Sequence, residues 1–405
     1  MAVRANANAD AGGDRAYRAA LVDWLACACA GADERAARAV RASGGDLLAD
    51  VAFAATAGHV LDFDDTFSDG VAHVSAASAP AALVLAAHLG RSLGATLDAY
   101  AEGYEAMAAL AAASHPALYD AGWHPTAVCA PVGAAVAASR LLALPSAQRA
   151  NSIAIALLRA GGTRGAFGSD GKSIQVGLAA AAGVQAALLA RAGASVDPRA
   201  ITGPLGFEGP LSGRWPRGGA AGAKDGAARA IERNWIKLRA SCLGTHSPIE
   251  AAEQARERGF RLADDRLDVH VHPVARQAAH LDAVDDGLAA KFSIPYCVAH
   301  TLAHGPPRVQ DFAAIDPEAR EQSRLVGVIV EESLPEFGAV LTVAGRELAR
   351  VACPRGAPER PATAAELAEK VAELAGDRLG GVLDDLRAPA DAALRAAGLT
   401  AARTT

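Results

Sequence analysis

Between His59 and His73 the chain reads His-Val-Leu-Asp-Phe-Asp-Asp-Thr-Phe-Ser-Asp-Gly-Val-Ala-His. That segment sets two imidazoles, four carboxylates and two hydroxyls in a sequence that is 51% hydrophobic. Burying such groups costs free energy unless they pair or face a cleft, so Asp62, Asp64 and Asp65 beside Leu61 and Phe63 point to proton transfer. Two further polar clusters stand before apolar, helix-like runs. Gly122-Trp123-His124-Pro125-Thr126 precedes a helix expected from Val128, where free N–H groups and partial positive charge would suit an anion beside His124. Taken alone, His124 could equally cap or pack. Gly168-Ser169-Asp170-Gly171-Lys172-Ser173 precedes a helix expected from Ile174. It is not a phosphate loop: the first glycine of GxxxxGK[ST] would fall where Ala166 stands, and no strand precedes it. What remains is a lysine at a helix start, suited to a carboxylate.

Lysine is scarce. Lys172, Lys224, Lys237, Lys291 and Lys370 are the only ones among 39 basic residues, the rest being arginine. A lysine kept against that bias is expected where a compact, titratable charge is needed. Lys237, within Trp235–His246, and Lys291, before Phe292-Ser293-Ile294-Pro295-Tyr296, share this property with Lys172, although each alone could be an ordinary solvated or salt-bridged lysine.

A metal reading of the aspartates is weaker. The DDxxD spacing of diphosphate-binding Mg²⁺ sites is missing, and a transition-metal set of His59, Asp62 and His73 lacks a compact helical ligand motif such as HExxH. No metal is expected.

The elements that must carry these groups change character along the chain. From Arg15 to about Arg191, Ala, Leu and Val recur at three- and four-residue spacing, predicting helices over 17–30, 79–89, 97–114, 128–144, 146–158 and 174–191. Several are apolar nearly all round, so they should be buried within a helical domain several layers thick. Residues 202–222 read as an extended, Gly-rich loop. Beyond Trp235 the period shifts: 267–274 alternates, 325–330 is β-branched, and 339–343 with 347–353 forms an expected hairpin around Ala344-Gly345-Arg346, with helices at 248–257 and 294–302 between them. After Pro354 the chain turns helical again, with Thr363 as the expected N-cap of 363–374.

With 405 residues, 21% charged, the chain can bury one large core or two moderate ones, and a net charge of -6 gives no general attraction to nucleic acid or an anionic membrane. A small-molecule role follows. Six scattered cysteines without a CxxC pair fit a reducing compartment. The N-terminus lacks the apolar core of an export signal, and Gly, Pro, His and charge break the alanine runs before membrane-spanning length. A cytoplasmic location is therefore expected, with no membrane segment.

Together these segments resemble the MmgE/PrpD family of 2-methylcitrate dehydratases, which includes cis-aconitate decarboxylases and an iminodisuccinate epimerase. The resemblance runs from about Leu21 to Leu379. It is carried by HVLDFDD at 59–65, GYE at 103–105, GWHPTAVCAPVGAA at 122–135, GSDGKSIQVG at 168–177, CLGTHSPIEAA at 242–252 and KFSIPYCVAHTL at 291–302. It implies a mainly α fold: a large all-helical domain built from residues 1–236 and 354–405, plus a smaller inserted α+β lid over 237–353. It also implies a homodimer needing neither metal nor organic cofactor, acting on a small carboxylate in the cleft between domains. Carried over residue by residue, the family pattern makes His73, His124 and Asp62 catalytic and has Thr66, Lys172 and Lys237 bind substrate. His73 stands one residue further from Thr66 than in the decarboxylases, and the chain is shorter than typical dehydratases, with a Gly-rich insert near Gly218.

Such a set fits a cofactor-independent lyase on a di- or tricarboxylate, foremost a hydro-lyase. Removing a proton beside a carboxylate creates an enolate-like dianion that needs cations or hydrogen bonds to stabilise it. Decarboxylation, epimerisation and non-catalytic carboxylate binding would draw on the same residues.

Overall fold

The computed structural model describes residues 7–216, 229–262 and 266–400. The Gly-rich insert near Gly218 lies outside them. Among the described residues the fold is mainly α, with seventeen α-helices and two small sheets.

The expected helices form, with shifted ends: Ala7–Gly31, Ser75–His88, Leu93–Ser114, Pro125–Leu141, Ser146–Leu157 and Gly171–Arg191. Two that the periodicity did not single out, Arg35–Ala42 and Leu47–His59, join them. Leu47–His59 is buried on all sides from Val51 onward, so it carries no amphipathic signal. Close approach of these helices depends on small residues. A Cβ on Gly183 would come within 2.4 Å of the Pro131 carbonyl oxygen, and one on Gly177 within 2.2 Å of Thr56 Oγ1 and 2.5 Å of the Ala52 carbonyl oxygen. The helix Gly171–Arg191 therefore lies backbone to backbone against both Pro125–Leu141 and Leu47–His59. It is also long and apolar enough to cross a bilayer, but most of it is buried against its neighbours.

A second apolar core gathers residues between Cys242 and Val351, with Tyr119 reaching in from the first half. Its four-stranded sheet runs Val326–Val330, Leu267–Val271, Ala339–Val343, Arg346–Val351; the first pair is parallel and the others antiparallel. Leu267, Val269 and Val271 point inward in strict alternation, and the hairpin turns at Ala344 and Gly345, both with positive φ, as a type I′ turn requires. The helices His246–Glu257 and Ile294–His304 complete this part. Thr363 and Glu366 form a reciprocal capping box that starts Ala364–Ala375, which packs on Ala7–Gly31, while Ala390–Ala396 packs on Ser75–His88.

A short antiparallel ribbon links the two halves at the polar segment: Thr66–Phe67 pairs with Asn234–Trp235, Thr66 opposite Trp235. It brings the chain just before Lys237 alongside the chain just after Asp62.

Candidate active site

The helix Leu47–His59 ends at His59, and the chain then turns through Asp62, whose φ of 51° is left-handed and unusual for a side chain larger than glycine. That turn separates the carboxylates. Asp62 Oδ1 accepts from Lys172 Nζ at 2.8 Å and from Lys237 Nζ at 3.1 Å. Lys172 sits in the first turn of Gly171–Arg191, where the helix dipole disfavours a cation, and its bond to Asp62 offsets that cost. Burial alone would raise the Asp62 carboxyl, but Lys172 and Lys237 hold it well below the usual range. Its second oxygen, Oδ2, is buried with no partner.

Asp64 turns the other way and bridges two imidazoles, with His59 Nδ1 at 2.9 Å and His73 Nδ1 at 3.2 Å from Oδ2. The N–H groups of both rings overcome the burial penalty and keep Asp64 ionised. With its proton on Nδ1, His73 has its lone pair on Nε2, which lies 3.5 Å from Asp62 Oδ1. Thr66 Oγ1 is 3.4 Å from His73 Nδ1, and the His73 backbone N–H donates to Thr126 Oγ1 at 3.0 Å. Burial, reinforced by Lys172, pushes His73 down to about 4, so the ring is neutral near pH 7.

His124 is the N-cap residue of Pro125–Leu141, yet its side chain does not cap. Its Nδ1 accepts from Gln175 Nε2 at 2.7 Å. The Gln175 amide is oriented from both ends: Thr163 N–H donates to its Oε1, and its Nε2 also donates to the Thr163 carbonyl. A neutral His124 therefore carries its hydrogen on Nε2, the opposite tautomer from His73. Burial and then Lys172 keep it well below its ordinary value. His124 stacks on His59 at 6.0 Å and meets Phe167 edge-on at 4.9 Å, while His59 meets His73 at 4.5 Å. Lys172 Nζ lies 5.5 Å from the Phe167 and Phe292 rings.

All six residues singled out from the sequence thus converge. Asp62, Thr66, His73, Lys172 and Lys237 touch directly, and His124 joins through His59. Exposure is 8% for His73, 2% for His124, 7% for Lys172 and 0% for Lys237, so the site is closed. A cavity of about 660 Å³ near Phe63, Leu238, His246 and Lys370 is lined by none of the three neighbouring imidazoles His59, His73 and His124. Sequence reasoning did not assign Asp64, the hinge of the histidine pair, or Gln175, which sets the His124 tautomer. Asp64 was visible as part of the acidic run; Gln175 lay inside the 168–177 segment but nothing there marked its side chain as a partner of His124.

His59, Asp64 and His73 also present donor atoms within 4.8 Å of one another, a set that could hold a metal ion, with Asp64 rather than Asp62 completing it. Both imidazole–carboxylate contacts are ordinary hydrogen-bond lengths, and the ammonium groups of Lys172 and Lys237 oppose a cation there.

The chain matches the MmgE/PrpD N-terminal domain over residues 10–216 and the MmgE/PrpD C-terminal domain over residues 240–394. It belongs to the MmgE/PrpD family. No curated protein matches the chain. The N-terminal MmgE/PrpD match includes Asp62, Thr66, His73, His124 and Lys172; Lys237 stands between the two matches, and the C-terminal one includes Lys291.

Proposed function

We propose that the protein is a cofactor-independent hydro-lyase of the 2-methylcitrate dehydratase type, acting on a small di- or tricarboxylate. The observation that carries this reading is one carboxylate oxygen, Asp62 Oδ1, shared by two buried ammonium groups with the lone-pair nitrogen of a neutral imidazole 3.5 Å away. Lys172 and Lys237, both buried, share the single Asp62 carboxylate, and a local pairing of two cations on one anion suits an anionic ligand.

The opposite tautomers divide the labour. His73 Nε2 takes the proton beside a substrate carboxylate, and Asp64 stabilises the resulting imidazolium through Nδ1. Lys172 neutralises the enolate-like charge as it develops. His124 gives its Nε2 proton to the departing hydroxyl, which leaves as water, and Asp62 Oδ2, buried without a partner, accepts a hydrogen bond from that hydroxyl and orients it. Thr66 and Lys237 complete the grip on the substrate carboxylates. We further propose a cytoplasmic homodimer. The exposed Leu178 and Leu189, on one face of Gly171–Arg191, support a self-association surface.

Incubation with 2-methylcitrate, citrate and cis-aconitate, with and without EDTA, tests the proposal. Olefinic product from a hydroxy acid, undiminished by EDTA, is expected. Solvent deuterium entering recovered substrate without net product would favour epimerisation, carbon dioxide release would favour decarboxylation, and loss of turnover in EDTA would overturn the metal-free mechanism. Light scattering that gives a monomer mass would remove the dimer.

A further inference from the structure

Three consecutive backbone carbonyls are each held by a buried lysine from a different part of the chain. Leu61 O accepts from Lys291 Nζ at 2.6 Å, Asp62 O from Lys237 Nζ, and Phe63 O from Lys370 Nζ at 2.7 Å. The middle residue is Asp62, in its left-handed conformation. Two of the three have a second reason to be there: Lys237 pairs with the Asp62 carboxylate, and Lys370 pairs with Asp23 at 2.6 Å and lies 4.0 Å from the Phe63 ring centre. Lys291 does not. It is 4% exposed, and among the described residues no carboxylate lies within ion-pair distance of its ammonium, which donates to the Leu61 carbonyl and lies 5.2 Å from the Phe312 ring.

A buried ammonium without a counter-ion costs stability, and a chain that uses arginine almost everywhere else has kept a lysine at this point. We propose that Lys291 is a positioning residue for Asp62. It fixes the peptide before Asp62 while Lys237 fixes the peptide after it, so the two hold the left-handed turn that aims the carboxylate at Lys172 and His73. Left-handed backbone at a non-glycine residue persists only where its surroundings impose it. Both lysines belong to the part of the chain beyond the ribbon at Asn234–Trp235, which carries the small sheet. Docking of that part and the arming of Asp62 are therefore one event: when the halves part to admit a substrate, Leu61 O and Asp62 O lose their ammonium partners and the turn relaxes; when they close, it re-forms.

The inference rests on the catalytic reading of Asp62, and its test has one arm that does not. In Lys291→Met, kcat on the substrate that wild type turns over should fall about ten-fold or more with KM changed by less than about three-fold, and Lys291→Arg should recover part of the loss. Independently of turnover, amide hydrogen exchange in Lys291→Met should speed up over 61–66 while the strand Leu267–Val271 keeps its protection. If Lys291→Met does not fold, Lys291→Gln carries both readouts. Wild-type kcat together with unchanged exchange at 61–66 overturns the proposal. So does a loss that is matched by raised exchange throughout the chain and is not relieved by arginine, which marks Lys291 as a purely structural residue. Should wild type turn over no carboxylate, the hydro-lyase reading fails while the exchange arm still decides the role of Lys291.

Discussion

At the residue scale, the site rests on one carboxylate that does no chemistry of its own. Asp64 pins the Nδ1–H of His73, so the lone pair must sit on Nε2, facing Asp62 and Lys172. Asp64→Asn keeps the volume but offers an amide that can reverse the tautomer. We expect kcat to fall by about 10²- to 10⁴-fold, the range that a positioned base contributes, and the melting temperature to drop as well, because a buried carboxylate held by two imidazoles loses its charge. A steady-state assay beside a thermal melt checks it, and near-wild-type kcat would remove His73 as the base. Protonation gives a second prediction. Because burial and Lys172 push His73 down to about 4, kcat/KM should stay flat as pH falls through the ordinary histidine value of about 6.5 and decline only nearer 4. The sign for folding is the same. An unfolded imidazole binds its proton near 6.5 and the folded one refuses it until about 4, so stability is full above 6.5 and drains away as pH falls through that window. His59 and His124, likewise lowered, add to the slope. A limb at pH 6.5 in a kcat/KM profile would show that the imidazoles titrate as if exposed.

At the element scale, three helices and a ribbon bring groups from 59, 124, 172 and 237 within reach of one another. Gly177 is the contact that sets their spacing, because a Cβ there meets Thr56 Oγ1 and the Ala52 carbonyl on the helix that ends at His59. Alanine at 177 would gain about 1 kcal/mol of helix propensity, but forcing the backbones apart costs about 1 to 3 kcal/mol, occasionally more, so the clash wins. Gly177→Ala should lower the denaturant midpoint and, by moving Lys172 away from Asp62, reduce kcat as well. A midpoint at or above wild type would show that the helices have room to spare. The same packing explains what the sequence could and could not disclose. The alternation of Leu267, Val269 and Val271 and the Ala344-Gly345 turn are local signals, and both appear where expected. The helix Leu47–His59 is wrapped on all sides, so it has no polar face to announce it. His73, Asp62 and Lys172 were legible because charge amid alanine is conspicuous. Gln175 was not, since its importance lies in two bonds to Thr163 that only the turn of chain at 162–163 creates.

At the scale of the whole molecule, a chain of net charge -6 buries, among the described residues, four lysines with four aspartates, and two of those lysines, Lys172 and Lys237, crowd on one Asp62 oxygen away from water. Buried like charges repel more strongly than they would in solvent, so the ligand-free closed state carries a cost that a polyanion would remove. Binding to the folded state alone raises stability by mass action, about 2.7 kcal/mol at a hundred-fold excess over the dissociation constant. The rise in melting temperature at equal concentration should therefore grow from mono- to di- to tricarboxylate, and shrink as added salt screens the charges that draw the ligand in. Lys172→Met should remove most of the increment, because it takes away one of the two ammonium groups on Asp62 Oδ1, the one at 2.8 Å. A thermal-shift series with acetate, succinate and citrate reads this without any assumption about turnover. Equal shifts for all three acids, or a shift that survives Lys172→Met, would mean that the two ammonium groups on Asp62 are balanced within the fold and serve its stability instead of a substrate.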